Sequence, residues 1–206
     1  MFNVAQMSLL MLFHPIDALD IIKRERKTFK PWRCALLMFL LAIVNYTYTF
    51  YVNYVLGNKQ VQQASLPLDL AVAFLPLLTW VVSAYAITAI VVGEASFTEL
   101  LTASCYCLTP VILFKPVLGL ISNIMTSSEA DIYAILSFAM YAWMIILLFY
   151  SLKRLNDYTF AKTLLITLIA IIAMLIIWGV LLLIIALFGQ VVFFVQQIAR
   201  EFQLKF

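Results

Sequence analysis

Charged residues are scarce in this sequence, at 11% of 206 residues, whereas about 25% is usual for a soluble domain. Apolar residues make up 66% of the chain. Water is therefore not the main solvent of this protein, and a soluble nucleic-acid-reading domain is excluded. We expect an integral membrane protein of one domain, with no nucleic-acid partner.

Residues suited to metal and covalent chemistry are equally scarce. The chain has one histidine, His14, and three cysteines, Cys34, Cys105 and Cys107. Residues 105 and 107 are about 200° apart around a helix, so their thiols cannot bind one metal ion. No apolar segment holds the paired titratable or nucleophilic groups that an intramembrane enzyme needs. We therefore expect no catalytic residue, metal site, cofactor or enzymatic activity, and interpret the cysteines as packing residues.

Long apolar runs are the main feature that the sequence does have. About 20 helical residues cross a hydrocarbon core of about 30 Å, and five runs reach that length. Because lipid satisfies no backbone polar group and the runs do not alternate as barrel strands do, we expect helices. The predicted fold is all-α, a bundle of five transmembrane helices preceded by an interfacial amphipathic helix. The predicted spans are residues 32–56, 68–92, 98–123, 132–152 and 163–189, with Gly189 closing the last one.

The residues before the first span have a different pattern. We divide the chain into a cytoplasmic and interfacial segment, residues 1–31, and a transmembrane domain, residues 32–206. Within the first segment, residues 16–29 predict an amphipathic helix on the membrane surface, where Arg24 and Lys27 would contact anionic lipid headgroups. Its charged side holds Asp17, Asp20, Arg24 and Lys27, and its apolar side holds Ile16, Leu19 and Ile22.

Lysine and arginine are unevenly distributed between the predicted sides of the membrane. Only Lys59, Arg200 and Lys205 flank the spans on one side, whereas nine such residues flank them on the side of the amino terminus. Because positively charged flanks resist translocation, we expect the amino terminus to be cytoplasmic. Five spans then leave the carboxyl terminus extracytoplasmic.

Two polar residues within predicted spans are candidates for a functional role. Lys115 lies between Pro110 and Pro116, which should kink or break the third span. A charge at membrane depth is a functional candidate, but Lys115 is only about 12 Å from the end of its span, so its side chain could also snorkel. Asn45 lies in the first span and should face other helices. One hypothesis is that Asn45 and Lys115 line a polar path.

Two short motifs resemble a known family. The segment Gly93-Glu-Ala-Ser-Phe-Thr-Glu-Leu-Leu and the later Tyr106-Cys-Leu-Thr-Pro110 resemble the loop and third span of the Yip family, the Ypt/Rab-interacting membrane proteins. The opening His14-Pro15, with a charged helix after it, is similar to the small prokaryotic members. The resemblance implies that Gly93, Tyr106 and Pro110 are structural determinants of the third span.

The resemblance also implies a function. It points to a non-enzymatic protein of a bacterial plasma membrane, acting as a scaffold or accessory subunit for other membrane proteins or for membrane organisation. The implied partners are membrane lipids and other integral membrane proteins, or further copies of the chain. Eukaryotic members have a long cytosolic segment where this chain has residues 1–31, which argues against binding of a Rab-type GTPase. The alternative function is a transporter or channel component.

Overall fold

The computed structural model describes residues 3–24, 31–52 and 66–205. Within these ranges the structure is helical and has no strand, which confirms the predicted all-α class. A 3-10 turn, Ser127–Glu129, precedes the seventh α-helix. The α-helices are α1 Val4–Phe13, α2 Pro15–Arg24, α3 Pro31–Tyr51, α4 Leu66–Ile90, α5 Phe97–Tyr106, α6 Thr109–Ser122, α7 Ala130–Leu155 and α8 Phe160–Lys205.

Five helical segments of the described chain are long and apolar enough to cross a membrane, as the sequence predicts. Nine of their ten ends lie within three residues of the predicted ones. The first segment ends at Tyr51, and residues 53–56 of that predicted span lie outside the described residues. The segments are Trp32–Tyr51, Pro67–Ile90, Phe97–Ser122, Ala130–Leu155 and Phe160–Val191.

The last helix is longer than the sequence suggests. Gly189 does not end it, and α8 continues to Lys205. A glycine inside a helix costs only about 1 kcal/mol relative to alanine, which is too little to stop a strongly apolar run. With 46 residues, α8 is about 69 Å long. It therefore exceeds the length that is needed to cross the hydrocarbon core once.

The third span consists of two helices, because the helical structure is interrupted at Cys107 and Leu108. Pro110 lies in the first turn of α6, where proline is well tolerated. It has no N–H, however, and so cannot donate to the Tyr106 carbonyl as a continuous helix would require. The Thr109 hydroxyl donates to this carbonyl instead, at 2.6 Å in a buried position. The predicted break thus lies immediately before Pro110, whereas Pro116 lies inside α6.

The third span is central in the bundle and the fifth is peripheral. Of the most apolar 18-residue stretch of the third span, 56% is buried inside the protein. Of the most apolar 18-residue stretch of the fifth span, only 6% is buried. α5 packs against α2, α3, α4 and α7, and α6 packs against α3 and α7. α8 packs mainly against α4 and to a lesser extent against α7. The buried core is therefore built around α5 and α6.

The two amino-terminal helices cover one end of the bundle. α1, which the sequence analysis does not identify as a helix, begins with a capping box between Asn3 and Gln6. α2 packs on α5 and α7, and this contact buries Leu19 and Ile22. At these two residues the apolar side of the predicted interfacial helix faces protein and not lipid, whereas Ile16 is exposed. We call this end of the bundle the α2 end and the opposite end the far end.

Candidate functional site

A cavity of about 1190 Å³ lies among the transmembrane helices. Residues of α3, α4, α6, α7 and α8 line it, and most of them are apolar. Its most polar side chains are Asn45, Tyr48, Asp69 and Lys115. Each of these four lies within seven residues of the far end of its helix. The cavity is therefore polar toward the far end of the bundle and apolar over the rest of its length.

The two intramembrane candidates, Asn45 and Lys115, are in direct contact. The Lys115 ammonium donates a hydrogen bond to Asn45 Oδ1 at 2.5 Å. It also lies 5.0 Å from the centre of the Tyr48 ring, within the range of a cation–π interaction. The lysine side chain thus ends on a neighbouring helix inside the bundle. A functional role of Lys115 stays a prediction.

Close packing of α3 against α6 produces this contact. Gly119 lies one turn after Lys115, on the same face of α6. A Cβ atom at Gly119 would overlap the Tyr51 ring and lie 3.1 Å from the Tyr48 ring. The absence of a side chain at this position lets the tyrosines of α3 lie against α6. The Tyr48 hydroxyl is in turn hydrogen-bonded to the Tyr133 hydroxyl on α7.

Side chains of α7 and α8 form most of the apolar part of the cavity. Several of them are also exposed at the surface of the bundle, among them Ile145 on α7 and Leu164 and Leu168 on α8. The cavity therefore opens sideways, toward the region that the bilayer occupies. Apart from the adjacent pair Thr167 and Leu168, the α8 residues are three or four positions apart, which places them on one stripe of the helix: Phe160, Leu164, Thr167, Leu168, Ile171 and Met174.

A second polar cluster fixes α2 to the bundle. Arg154 donates two hydrogen bonds to the Asp20 carboxylate, at 2.7 and 2.8 Å. These hydrogen bonds from Arg154 hold the pKa of Asp20 below its ordinary value of 3.8. Lys23 donates to Asp157 and lies 3.7 Å from Glu94. Arg24 is exposed and Lys27 lies outside the described residues, so their predicted lipid contact stays a prediction.

The motif residues Gly93, Tyr106 and Pro110 lie in tightly packed positions. A Cβ atom at Gly93 would be 2.5 Å from Asn156 Oδ1, the atom that accepts the Ala95 N–H. Tyr106 is 1% exposed, and Pro110 is buried beside the break in the third span. Their role as structural determinants has a geometric basis, but it stays a prediction until the residues are substituted.

Sequence reasoning missed the contribution of Asp69 to the cavity. This residue lies in the first turn of α4, so the pattern places it at the end of a span. In the structure it is 1% exposed and lines the same cavity as Lys115. The sequence did offer one signal for this contribution: Asp69 is acidic and lies at the same end of the bundle as Lys115. Tyr48, whose position in the sequence is typical of an interface belt, also lines this cavity.

Comparison with protein families agrees with this architecture. The family model of the Yip1 domain matches residues 9–183. No curated protein and no solved structure matches the chain. The matched region extends from α1 into α8, and includes the loop with Gly93, the broken third span and all the residues of the polar end of the cavity. Since the match covers well over half of its residues, this integral membrane protein belongs to the Yip1 domain family.

Proposed function

We propose that this protein is a non-enzymatic scaffold or accessory subunit that binds other integral membrane proteins, or further copies of itself, through the outer surface of α8. The observation that carries the proposal is the position of this helix. α8 is the most apolar span, yet only 6% of its most apolar 18-residue stretch is buried by the rest of the protein. A single stripe of α8 meets the bundle, and the rest is available to lipid or to the helices of a partner.

Small residues on the outer surface of α8 favour a helical partner. A Cβ atom at Gly179 or Gly189 would have no atom of the described chain within 4 Å. These glycines therefore serve no packing contact among the described residues. Small residues let a second helix approach closely in a membrane, where van der Waals packing drives association. Gly179 is followed at seven residues by Ala186, which lies on the same face.

Purification of the tagged chain from its native membrane in mild detergent, followed by mass spectrometry, tests this proposal. We expect membrane proteins to co-purify in fixed proportion, and Gly179→Phe to abolish their recovery without changing the thermal stability of the chain. Ala139→Phe, at an exposed position of α7, is the matched control and should retain the partners. Recovery of the parent chain as a monomer without companions would overturn the proposal.

The proposed location is a bacterial plasma membrane, with the α2 end of the bundle in the cytoplasm. The ion pairs of Lys23 with Asp157 and Glu94 support this orientation, because they bring the basic segment before α3 and the basic segment after α7 to one end. A cysteine in place of Thr98 should resist a membrane-impermeant maleimide in intact cells. A cysteine in place of Ser128, at the far end, should react. The reverse pattern would contradict the orientation.

A second candidate function is a transporter or channel component. The hydrogen bond between Lys115 and Asn45, within a cavity in the membrane region, is the observation that favours it. Transport through this site predicts that Lys115→Ala reduces solute flux into proteoliposomes. Lys162→Ala, at an exposed lysine at the start of α8, is the control. Equal flux for Lys115→Ala and the parent chain would remove Lys115 from any transport path.

A further inference from the structure

We propose that the cavity between α3, α4, α6, α7 and α8 binds one membrane phospholipid. Its acyl chains fill the apolar part of the cavity, and its zwitterionic headgroup lies at Asn45, Asp69 and Lys115. This proposal is independent of the outer surface of α8 around Gly179 and of any protein partner. It assigns a ligand class to a cavity that a scaffold role does not require.

The size and lining of the cavity define the occupant. Its volume of about 1190 Å³ is above the range of about 300–1,000 Å³ that is usual for sites of small organic ligands. Most of its lining offers no hydrogen-bond partner, so ordered water would not be stable there. A solvated ion or a sugar would lose its hydration without compensation. The occupant must therefore be apolar over most of its length and polar at one end.

The position of the polar end matches the position of a lipid in the bilayer. Asn45, Asp69 and Lys115 lie near the far ends of their helices, and the apolar part continues toward the middle of the bundle. A phospholipid of the leaflet at the far end has this orientation, with its headgroup outward and its chains inward. The sideways opening past Leu164 and Leu168 lets the chains enter from the bilayer, so no passage through water is needed.

The charges at the polar end select the headgroup. The Lys115 ammonium is a suitable donor to a phosphate oxygen, and the Asn45 amide can also donate. Asp69 lines the same end, and its carboxyl group can accept a hydrogen bond from a headgroup amine, which phosphatidylglycerol lacks. Phosphatidylethanolamine carries one phosphate and one amine. It is therefore expected to bind in preference to phosphatidylglycerol.

Trp80 provides a direct readout, because it lines the cavity and is 9% exposed. A chain that keeps Trp80 alone, with Trp32, Trp143 and Trp178 replaced by phenylalanine, is reconstituted into phosphatidylethanolamine vesicles with brominated acyl chains. Bromine quenches tryptophan fluorescence on contact. A matching chain that keeps only Trp143, which is 41% exposed, reports contact with the surrounding bilayer. We expect strong quenching of both tryptophans.

Variants within the cavity decide where the lipid lies. Ala73→Phe on α4 and Thr167→Phe on α8, both at residues that line the cavity, should each remove most of the quenching of Trp80 and leave that of Trp143 unchanged. Ala86→Phe, at an exposed position of α4 that does not line the cavity, is the control for Ala73→Phe. Two cavity-filling variants keep the test decisive if one of them fails to fold.

The headgroup assignment has its own test on the parent chain. Lipid retained after purification in mild detergent should be enriched in phosphatidylethanolamine relative to the membrane, and Lys115→Met should abolish the enrichment while Lys162→Met keeps it. Absence of Trp80 quenching when Trp143 is quenched would overturn the proposal. Quenching of Trp80 that both cavity-filling variants leave unchanged would also overturn it, as would a preference for phosphatidylglycerol.

Discussion

Gly119 determines the geometry of the polar end of the cavity. Its position on α6 faces the rings of Tyr48 and Tyr51, and any side chain there would push α3 and α6 apart. Lys115 is one turn away on the same face, and its contact with Asn45 depends on the same close approach. Interiors are packed closely enough that an added methyl group is felt directly.

We therefore expect Gly119→Ala to destabilise the protein by about 1–3 kcal/mol, the usual cost of overpacking a core. Gly179→Ala is the control, because a Cβ atom there meets nothing within 4 Å. It should be neutral or stabilise the helix by up to about 1 kcal/mol. Thermal unfolding in detergent measures both variants. Equal shifts of the two midpoints would contradict the packing that we describe.

The break in the third span predicts a special role for one hydroxyl group. Because Pro110 has no N–H, the Tyr106 carbonyl depends on the Thr109 hydroxyl. Thr109→Val should leave this buried carbonyl without its donor and cost about 1–3 kcal/mol. Thr102→Val is the matched control: the Thr102 hydroxyl donates to the Thr98 carbonyl, which the helical N–H of residue 102 also satisfies. Only the first variant should lower the unfolding midpoint substantially.

Individual polar residues could be identified from the sequence, but their contacts could not. Asn45 and Lys115 stand out because each interrupts an apolar run. The sequence pattern does not show that these two side chains are in contact, because the contact depends on how α3 packs on α6. Asp20 and Arg154 are 134 positions apart, and no spacing rule connects them. Contacts of this kind are set by tertiary packing alone.

The attachment of α2 should depend on pH. Arg154 lowers the pKa of Asp20, so the pair contributes stability at pH values above the ordinary pKa of 3.8, and the contribution is lost as pH falls through the lowered value. Asp20→Asn should therefore lower the unfolding midpoint at neutral pH and converge with the parent chain in acid. Thermal unfolding between pH 7 and pH 3 measures this. A difference that stays constant over that range would exclude the ion pair as its cause.

The broken third span should respond to removal of its proline. Pro110→Ala restores an N–H that can donate to the Tyr106 carbonyl, so α5 and α6 are expected to join into one straighter helix. Spin labels at Thr102 and Leu120, on the two halves of the span, report its end-to-end distance by pulsed electron paramagnetic resonance. We expect a longer distance in the variant. An unchanged distance and unchanged partner binding would mean that packing, and not Pro110, bends the span.

The number and type of the membrane elements followed from the sequence, because long apolar runs permit only helices in lipid. The break in the third span also followed, because Pro110 and Pro116 predict it. Two features did not follow. α1 is too short for a span, and its helix becomes recognisable only when its buried side chains pack on the bundle. The length of α8 was underestimated because Gly189 was read as a stop.

At the scale of the whole molecule, the five spans have unequal roles. The third span is the most buried of the five, whereas the fifth is attached by one stripe and leaves most of its apolar surface uncovered by the described chain. The cavity lies between these two regions and separates α8 from α3 and α6. This division suits a protein whose inner helices maintain the fold while the outer helix contacts other membrane components.

The most direct test of the accessory role is photocrosslinking in the native membrane. Benzoylphenylalanine in place of Gly179 lies on the uncovered surface of α8, and the same residue in place of Ile135, an exposed position of α7, is the control. We predict that the α8 position gives a discrete crosslinked protein band, which mass spectrometry can identify, and that the α7 position does not. Crosslinks to lipid alone from the α8 position would contradict the proposed function.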